Sequence, residues 1–501
     1  MKDIFSILSD LGYSVSNELQ DYYSKIDKWR CYWKGYDPKF HKYVIANANK
    51  DPMQLNRKSM YMAKKVAEDW ASLLLNDKTY VTLGDDKKSQ EFLTGDDIEQ
   101  QGGVFGKSNF WNQGNRAVEK AYALGTAVFY LDLVEPFVNK SKLYAKDIKI
   151  RYIKDPKQFI PLGCENEKIT ECALYSYKAS QGKQYIYLQI MKCENDKYRI
   201  FNHYYQKVNE LYQKVELPEG MAEWYELPCK PFFVLTPNIE NNFIEDIPMG
   251  ASIYSNAIDC LQLCDIAFDN FYTDFYLGRK KIFMDQDMFA TEQIVVKDET
   301  TGKNKVVTKP LVGETIEQSL YVNIGKTTPG ENRRFEEYNP SLRVEENKEG
   351  IQFALNLLSS KCGFGQNKYQ FQTQNMTTAT QVRVSNKDQT ESIWKQRIQI
   401  TEVITEMVHS ILILGKEICL LDVNQNAKIT IKFDDTMFTD EEAERMKDLN
   451  DVNAGIMAKY EYRMKWYGED EDIAKAKIEE IENGHLGLSY SENESGGGYS
   501  E

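Results

Sequence analysis

The sequence predicts an α+β chain in which long amphipathic helices carry a β-rich lobe and a smaller β module. Three observations predict this. From Ile247 to Gly278, Tyr254, Ile258, Leu261, Cys264, Phe268, Phe271 and Phe275 recur at steps of three and four, with Ser255, Asn256, Asp259, Gln262, Asp269, Asn270, Thr273 and Asp274 opposite, which describes one amphipathic helix. Residues 145–240 break into short alternating runs (IKIRYI, FIPLG, CALYSYKA, QYIYLQIMK, YRIFNHYY) separated by turn residues, as strands do. Residues 279–340 repeat the strand pattern between two helical segments.

Length and charge bound the rest. A chain of 501 residues corresponds to roughly two to four domains or lobes. Its net charge of −14 argues against a tight nucleic-acid grip, which calls for basic excess. The nine cysteines form no C-x-x-C pair and read as reduced thiols, with Cys260 and Cys264 packed on one helix face. There is no N-terminal apolar leader, and no apolar run approaches the ~20 residues of a membrane span; the expectation is a soluble chain that is not exported.

Taken in order, residues 1–60 are aromatic-rich helical segments such as YYSKIDKWRCYWKGY (22–36), expected on the surface. Met62, Val66, Trp70, Leu73 and Leu74 form a helical stripe ending at Asn76; YVTL (80–83) is a strand, and a helix from Phe110 to Gly125 enters the strand AVFYLDL. In the strut that follows, Pro248 sits near the start, Gly278 suits a left-handed cap, and Arg279, Lys280 and Lys281 face the negative end of the dipole. Unbroken, it would run roughly 40 Å. QIVVK (293–297) and KVVTK (305–309) flank a turn with Gly302 and Asn304, a hairpin signal, and SLYVNIG (319–325) is a further strand. Val344, Ile351, Ala354, Leu355 and Leu358 mark a returning helix stopped by Gly363 and Gly365.

The segment FGQNKYQFQTQNM (364–376) is rich in amides and carries one lysine. Thr378 and Gln381 then form a capping box that opens a long helix, whose stripe is Ile393, Ile400, Ile404, Met407, Val408, Ile411 and Ile418, with a bend expected at Leu414-Gly415. To Leu421 it would span roughly 65 Å. KITIKF (428–433) is a strand, Thr439 and Glu442 form a second capping box, and helices divided by Gly455 and Gly468 lead to a disordered end.

Catalytic signals are weak. GGVFGKS (102–108) resembles a phosphate loop, but Gln101 stands where the motif needs glycine and no buried strand precedes it. GDDIEQ and GEDED lack the spacing of a cation loop. No G-x-S-x-G elbow occurs; His409 lies inside a helical pattern and reads as a satisfied surface or interface histidine, and His41, His203 and His485 have no evident Ser or Cys partner in sequence.

Five stretches, in order, are KKVAEDWASLLLND (64–77), AYALGTAVFYLDL (121–133), YIKDPKQFIPLGCENEKITECAL (152–174), LGRKKIFMD (277–285) and TTATQVRVSNKDQT (377–390). They resemble the portal proteins of tailed bacteriophages, the head-to-tail connectors of siphophage-like particles. The resemblance covers most of the chain, departing from the family's wording at Gln381, where Glu is usual. It implies a wing (1–246), a first stem helix (247–278), a clip (279–340), a second stem helix (341–362), a tunnel loop (363–377), a long helix returning to the wing (378–438), a crown (439–484) and a disordered tail (485–501).

It further implies a structural, non-enzymatic role without cofactor, metal or membrane: a closed ring of about twelve copies at one capsid vertex, through which double-stranded DNA is packaged and ejected without sequence preference. Implied partners are the large terminase subunit, the scaffolding and major capsid proteins and later a neck or adaptor protein. The location is the virion, with assembly in the host bacterial cytoplasm. The tunnel loop would present Gln366, Lys368, Gln370, Gln372, Gln374 and Asn375 to DNA. The stem interface would use Tyr254, Ile258, Leu261, Phe268, Phe271 and Phe275, and the clip would meet motor or neck through Lys297, Lys303, Lys305 and Lys309. Alternatives are a ring or tail component of a defective prophage and a nucleotide-processing enzyme acting through the Gly102 segment.

Overall fold

A computed structural model of the chain describes residues 4–46, 50–76, 78–84, 86–96, 100–139, 142–180, 182–195, 197–208, 211–218, 221–285, 288, 291–297, 304–310, 320–325, 332, 334–365, 368–371, 387–433 and 441–489. Helices and sheets both contribute, as the α+β reading expects. The core gathers helices whose apolar residues recur every three or four positions. Met62–Leu74 buries Val66, Trp70 and Leu74, and Phe110–Leu124 buries Phe110, Val118 and Tyr122. The helix Glu18–Trp33, expected on the surface, instead buries Leu19, Tyr22, Ile26, Trp29 and Tyr32. Its aromatics tolerate burial because their polar ends find distant partners: the Tyr22 hydroxyl donates to Gly250 O at 2.6 Å.

These helices lie against a three-stranded antiparallel sheet with Ala127–Val134 at its centre, between Phe232–Leu235 and Asp147–Ile153. The run IKIRYI therefore belongs to the core sheet and not to the β lobe. The lobe is an antiparallel meander in the order Leu211–Val215, Lys197–Val208, Lys183–Glu194, Lys168–Ser180, Phe159–Glu165, with Trp224–Leu227 also paired to Lys197–Val208. Its register sets Ile190 opposite Phe201 on one side and Ala173 on the other. Tyrosines pack across strands, Tyr185 stacking on Tyr204 at 5.0 Å between centroids, the usual use of aromatics in sheets.

The strut is shorter than its sequence pattern. The α-helix runs Ile258–Leu277 after a single 3-10 turn, Ser255–Ala257, so it spans about 30 Å. Residues 247–254 are not helical because their backbone is committed elsewhere: Gly250 N–H donates to Thr126 Oγ1 at 3.1 Å and Ile253 N–H to Tyr122 O at 2.9 Å. This crossing needs two glycines. A Cβ on Gly125 would lie 2.2 Å from Gly250 O, and one on Gly250 2.4 Å from Gly125 O. At the other end Gly278 has φ −74 and is not a left-handed cap.

Beyond the strut, Lys281–Met284 pairs in parallel with Tyr321–Asn323 and antiparallel with Phe335–Tyr338. The expected hairpin forms from Thr291–Lys297 and Asn304–Pro310, with Val295 opposite Val306. The return helix, Val344–Lys361, buries Ile351, Ala354, Leu355 and Leu358 beside the strut.

The long helix is continuous over Lys387–Glu417, about 46 Å. It passes Leu414-Gly415 without a break, and the missing Cβ of Gly415 leaves room for the Phe92 ring. Contrary to the expectation that no such run exists, Gln389–Glu417 is long and apolar enough to cross a membrane by length and composition. Its apolar side is packed in the core, with Ile393, Ile400, Ile404, Met407, Val408 and Ile411 buried. The capping-box residues Thr378, Gln381 and Thr439 lie outside the described residues. Thr430–Lys432 pairs with Tyr80–Thr82, joining two distant strand signals through Ile431 and Val81. Three helices follow, Glu441–Asn453, Lys459–Tyr467 and Glu471–Ser489. The last continues past residue 485, where disorder was expected.

Candidate oligomer interface and channel loop

The strut stripe divides into two parts. Tyr254 is fully enclosed and its hydroxyl donates to Trp29 O at 3.0 Å. Ile258 and Leu261 are also buried in the same chain's core. These three residues, predicted as subunit interface, are therefore turned inward: Tyr254 is held by Trp29, and the strut packs on Val344–Lys361 and Met62–Leu74 of the same chain. The distal part differs. Phe268 and Phe271 are half-buried, Phe275 is 46 % exposed, and Tyr276 and Leu277 beside it are 59 % and 57 % exposed. Phe271 meets Phe275 edge-on at 4.9 Å, while Tyr272 stacks parallel to Tyr276. On the return helix Phe353 is 66 % exposed. The two helices are clamped at this end by Asp274, which accepts from Arg343 at 2.7 Å and Asn347 at 2.8 Å. The Arg343 guanidinium foremost, then Asn347, holds the Asp274 carboxyl below its usual range.

The polar side of the strut is not simply in water. Asp265 and Asp269, one turn apart, are buried and accept backbone N–H groups from the segment 58–60: Lys58 to Asp269 at 2.9 Å and Met60 to Asp265 at 2.7 Å. His41 Nε2 lies 3.2 Å from Asp265 and Ser59 Oγ donates to it at 3.3 Å. Burial, the largest influence, raises the Asp265 pKa against these hydrogen bonds. This clasp ties the exposed hairpin of Lys42–Ala46 and Pro52–Asn56 to the strut. Only the i,i+4 spacing of two carboxylates inside an apolar helix hinted at it.

The amide-rich segment begins on an aromatic anchor. Phe364 is buried and stacks on Trp70 at 4.7 Å, and Trp70 Nε1 donates to Cys362 O at 3.0 Å. Tyr369 donates to Asp69 at 3.0 Å, and Gln352 both donates to Tyr369 O and accepts from Phe371 N. Lys368 is half-buried with its ammonium 5.6 Å from the Phe364 ring, and burial lowers its pKa. Gln370 is half-buried too. Gln366, Gln372, Gln374 and Asn375 lie outside the described residues. Of the lysines expected to meet motor or neck, Lys297 pairs with Asn304, Lys305 with Val296 and Lys309 with Glu292 along the hairpin; Lys303 lies outside the described residues.

The family model for phage portal proteins of the SPP1 Gp6-like type matches residues 14–484. The chain belongs to this phage portal protein family. No curated protein matches it. The portal family is structural and not enzymatic, and the look-alike sites of this portal chain have structural explanations. Gly103–Lys107 is a short helix following another helix, a Cβ on Gly106 would lie 1.6 Å from Gln101 O, and Lys107 pairs with Asp147. Those glycines allow close backbone packing.

His41, Asp265 and Ser59 bring together the residue types of a hydrolase triad without its order. Nδ1 of His41 accepts Asp37 N–H at 2.9 Å and Nε2 faces Asp265, so no imidazole nitrogen is left to take the serine proton. Burial pushes the Cys264 thiol up to about 12, which disfavours the thiolate that a metal needs. Among the described residues no group of three or more His, Cys, Asp or Glu is placed to hold a metal ion.

Proposed function

We propose that this chain is the subunit of a ring of about twelve copies at one capsid vertex, forming the channel for packaging and ejecting DNA. The observation that carries this reading is the aromatic distal strut, where Phe275, Tyr276 and Leu277 beside Tyr272 are all exposed among the described residues. A contiguous apolar surface of this kind favours burial against a like neighbour, and a head-to-tail contact that closes makes a ring. The acidic total of −14 per copy supports a wall that DNA passes without capture. The hairpin and its flanking sheet would serve as the clip toward the terminase motor and later the neck, with Lys297, Lys303, Lys305 and Lys309 as contacts. The segment 363–377 would line the channel, where amides exchange neutral hydrogen bonds with phosphates. The crown and scaffold contacts would lie inside the capsid.

Negative-stain imaging with native mass measurement tests the ring. Closed rings with a central opening support it, and a compact dimer with no opening refutes it. Lys368→Glu is expected to leave rings intact while altering packaging; loss of rings would make the loop an assembly element.

A further inference from the structure

Against an acidic total, one cavity of about 640 Å³ is lined by Arg30, Lys34, Lys120, Arg151 and Lys154, with Asp155 the one acid among its lining residues. Three elements converge there. Arg30 and Lys34 lie one turn apart at the end of Glu18–Trp33; Gln113, Arg116 and Lys120 share a face of Phe110–Leu124; Arg151 and Lys154 come from the end of Asp147–Ile153.

The nearby acids are already engaged. Asp155 pairs with Arg30 at 2.6 Å, Asp132 with Arg151 at 3.0 Å, and Glu119 with Lys64 at 2.9 Å. Among the described residues Lys34, Arg116, Lys120 and Lys154 have no carboxylate at ion-pair distance. Lys120 instead sits over the Trp33 ring and Lys154 donates to Gln113 at 2.6 Å. Three lysines that line the cavity without an ion-pair partner, Lys34, Lys120 and Lys154, lie beside Arg30 and Arg151, and an arrangement of this kind is stabilised by a ligand with several negative charges. A single carboxylate would neutralise one of the three.

We propose that this cavity binds an anion carrying two or more phosphates, either a free polyphosphate or consecutive phosphates of a nucleic-acid strand. Lysine supplies point charges and arginine a planar fork, both suited to phosphate oxygens. The site is complete within one copy, so it does not depend on ring closure.

Burial foremost, with Arg30 and Lys34 adding to it and Glu119 and Asp155 opposing it, brings the Lys120 pKa down to about 8. Burial and Arg116 lower that of Lys154, against Glu119. A bound anion would reverse these shifts, so binding near pH 8 takes up protons.

The test is calorimetric titration of the full chain at low salt with tripolyphosphate, with a short DNA duplex and with oligoglutamate, for the natural chain and for Lys34→Gln/Lys120→Gln. Circular dichroism checks that the variant folds. Tripolyphosphate is expected to saturate one site per chain, to bind about 10-fold more weakly to the variant, and to give heats that vary with buffer ionisation. If duplex binding falls in parallel, the source is nucleic acid; if only tripolyphosphate binding falls, it is a free polyphosphate. Absence of saturable binding by both phosphate probes, equal binding by the variant, or tighter binding of oligoglutamate would overturn the assignment.

Discussion

The buried carboxylate of Asp265 accepts the backbone N–H of half-buried Met60 at 2.7 Å. It is the strongest point of the clasp between the strut and segment 37–60, since a buried charged acceptor holds a main-chain donor with nothing else to bond. Asp265→Ala leaves Met60 N–H, Ser59 and His41 without that partner, and is expected to cost roughly 1–3 kcal/mol. Urea unfolding of the purified chain measures this. A change within error would show that water replaces the carboxylate.

The distal strut should separate folding from assembly. Tyr276→Glu and Phe275→Glu alter side chains that are largely exposed in one copy, so the thermal midpoint should move little, whereas a charge in a closed apolar contact blocks it. Size-exclusion chromatography with light scattering should show loss of rings and retention of folded subunits. Rings from both variants would place the interface elsewhere.

The anchor of the amide-rich loop rests on Trp70 and Tyr369. Tyr369→Phe removes one hydrogen bond to Asp69 and is expected to cost about 1 kcal/mol. Trp70→Ala empties the site against which Phe364 stacks, for about 3–5 kcal/mol. Protease cleavage within residues 364–376 should accelerate in both variants, more in the second.

Lys120 gives a pH dependence of definite sign. Its pKa falls from the ordinary lysine value of 10.5 to about 8 on folding, so between pH 8 and 10.5 the unfolded chain binds the extra proton and stability rises with pH. Below pH 8 the full cost of the charged, crowded ammonium is present. Lys120→Met should therefore be more stable than the natural chain near neutral pH, and the difference should shrink toward pH 10.5. Denaturant midpoints across that range report it; a constant difference would mean that lost packing over Trp33, not charge, governs the change.

Much of the architecture was legible because periodicity is a local property. The stripes of Met62–Leu74 and Val344–Lys361, and the hairpin pairing Val295 with Val306, follow from residue spacing and turn chemistry. The five ordered stretches from Lys64 to Thr390 carry the portal family's resemblance in the sequence itself.

What the sequence could not decide is which partner each face meets. Tyr254, Ile258 and Leu261 lie on the same stripe as Phe271 and Phe275, yet the first three face the chain's own core and Phe275 faces outward. Burial depends on what packs across: Trp29, more than 200 residues earlier, holds Tyr254, and Met62–Leu74 and Val344–Lys361 pack on the strut. The helix start failed for the same reason: Tyr122 O and Thr126 Oγ1 capture the N–H groups of Ile253 and Gly250, so a distant acceptor outweighs local helical pattern. The sequence by itself determined element types, family and charge. The tertiary structure alone decided the Asp265 clasp and the gathering of Arg30, Lys34, Lys120, Arg151 and Lys154, because both join residues that only long-range packing brings within a few ångströms.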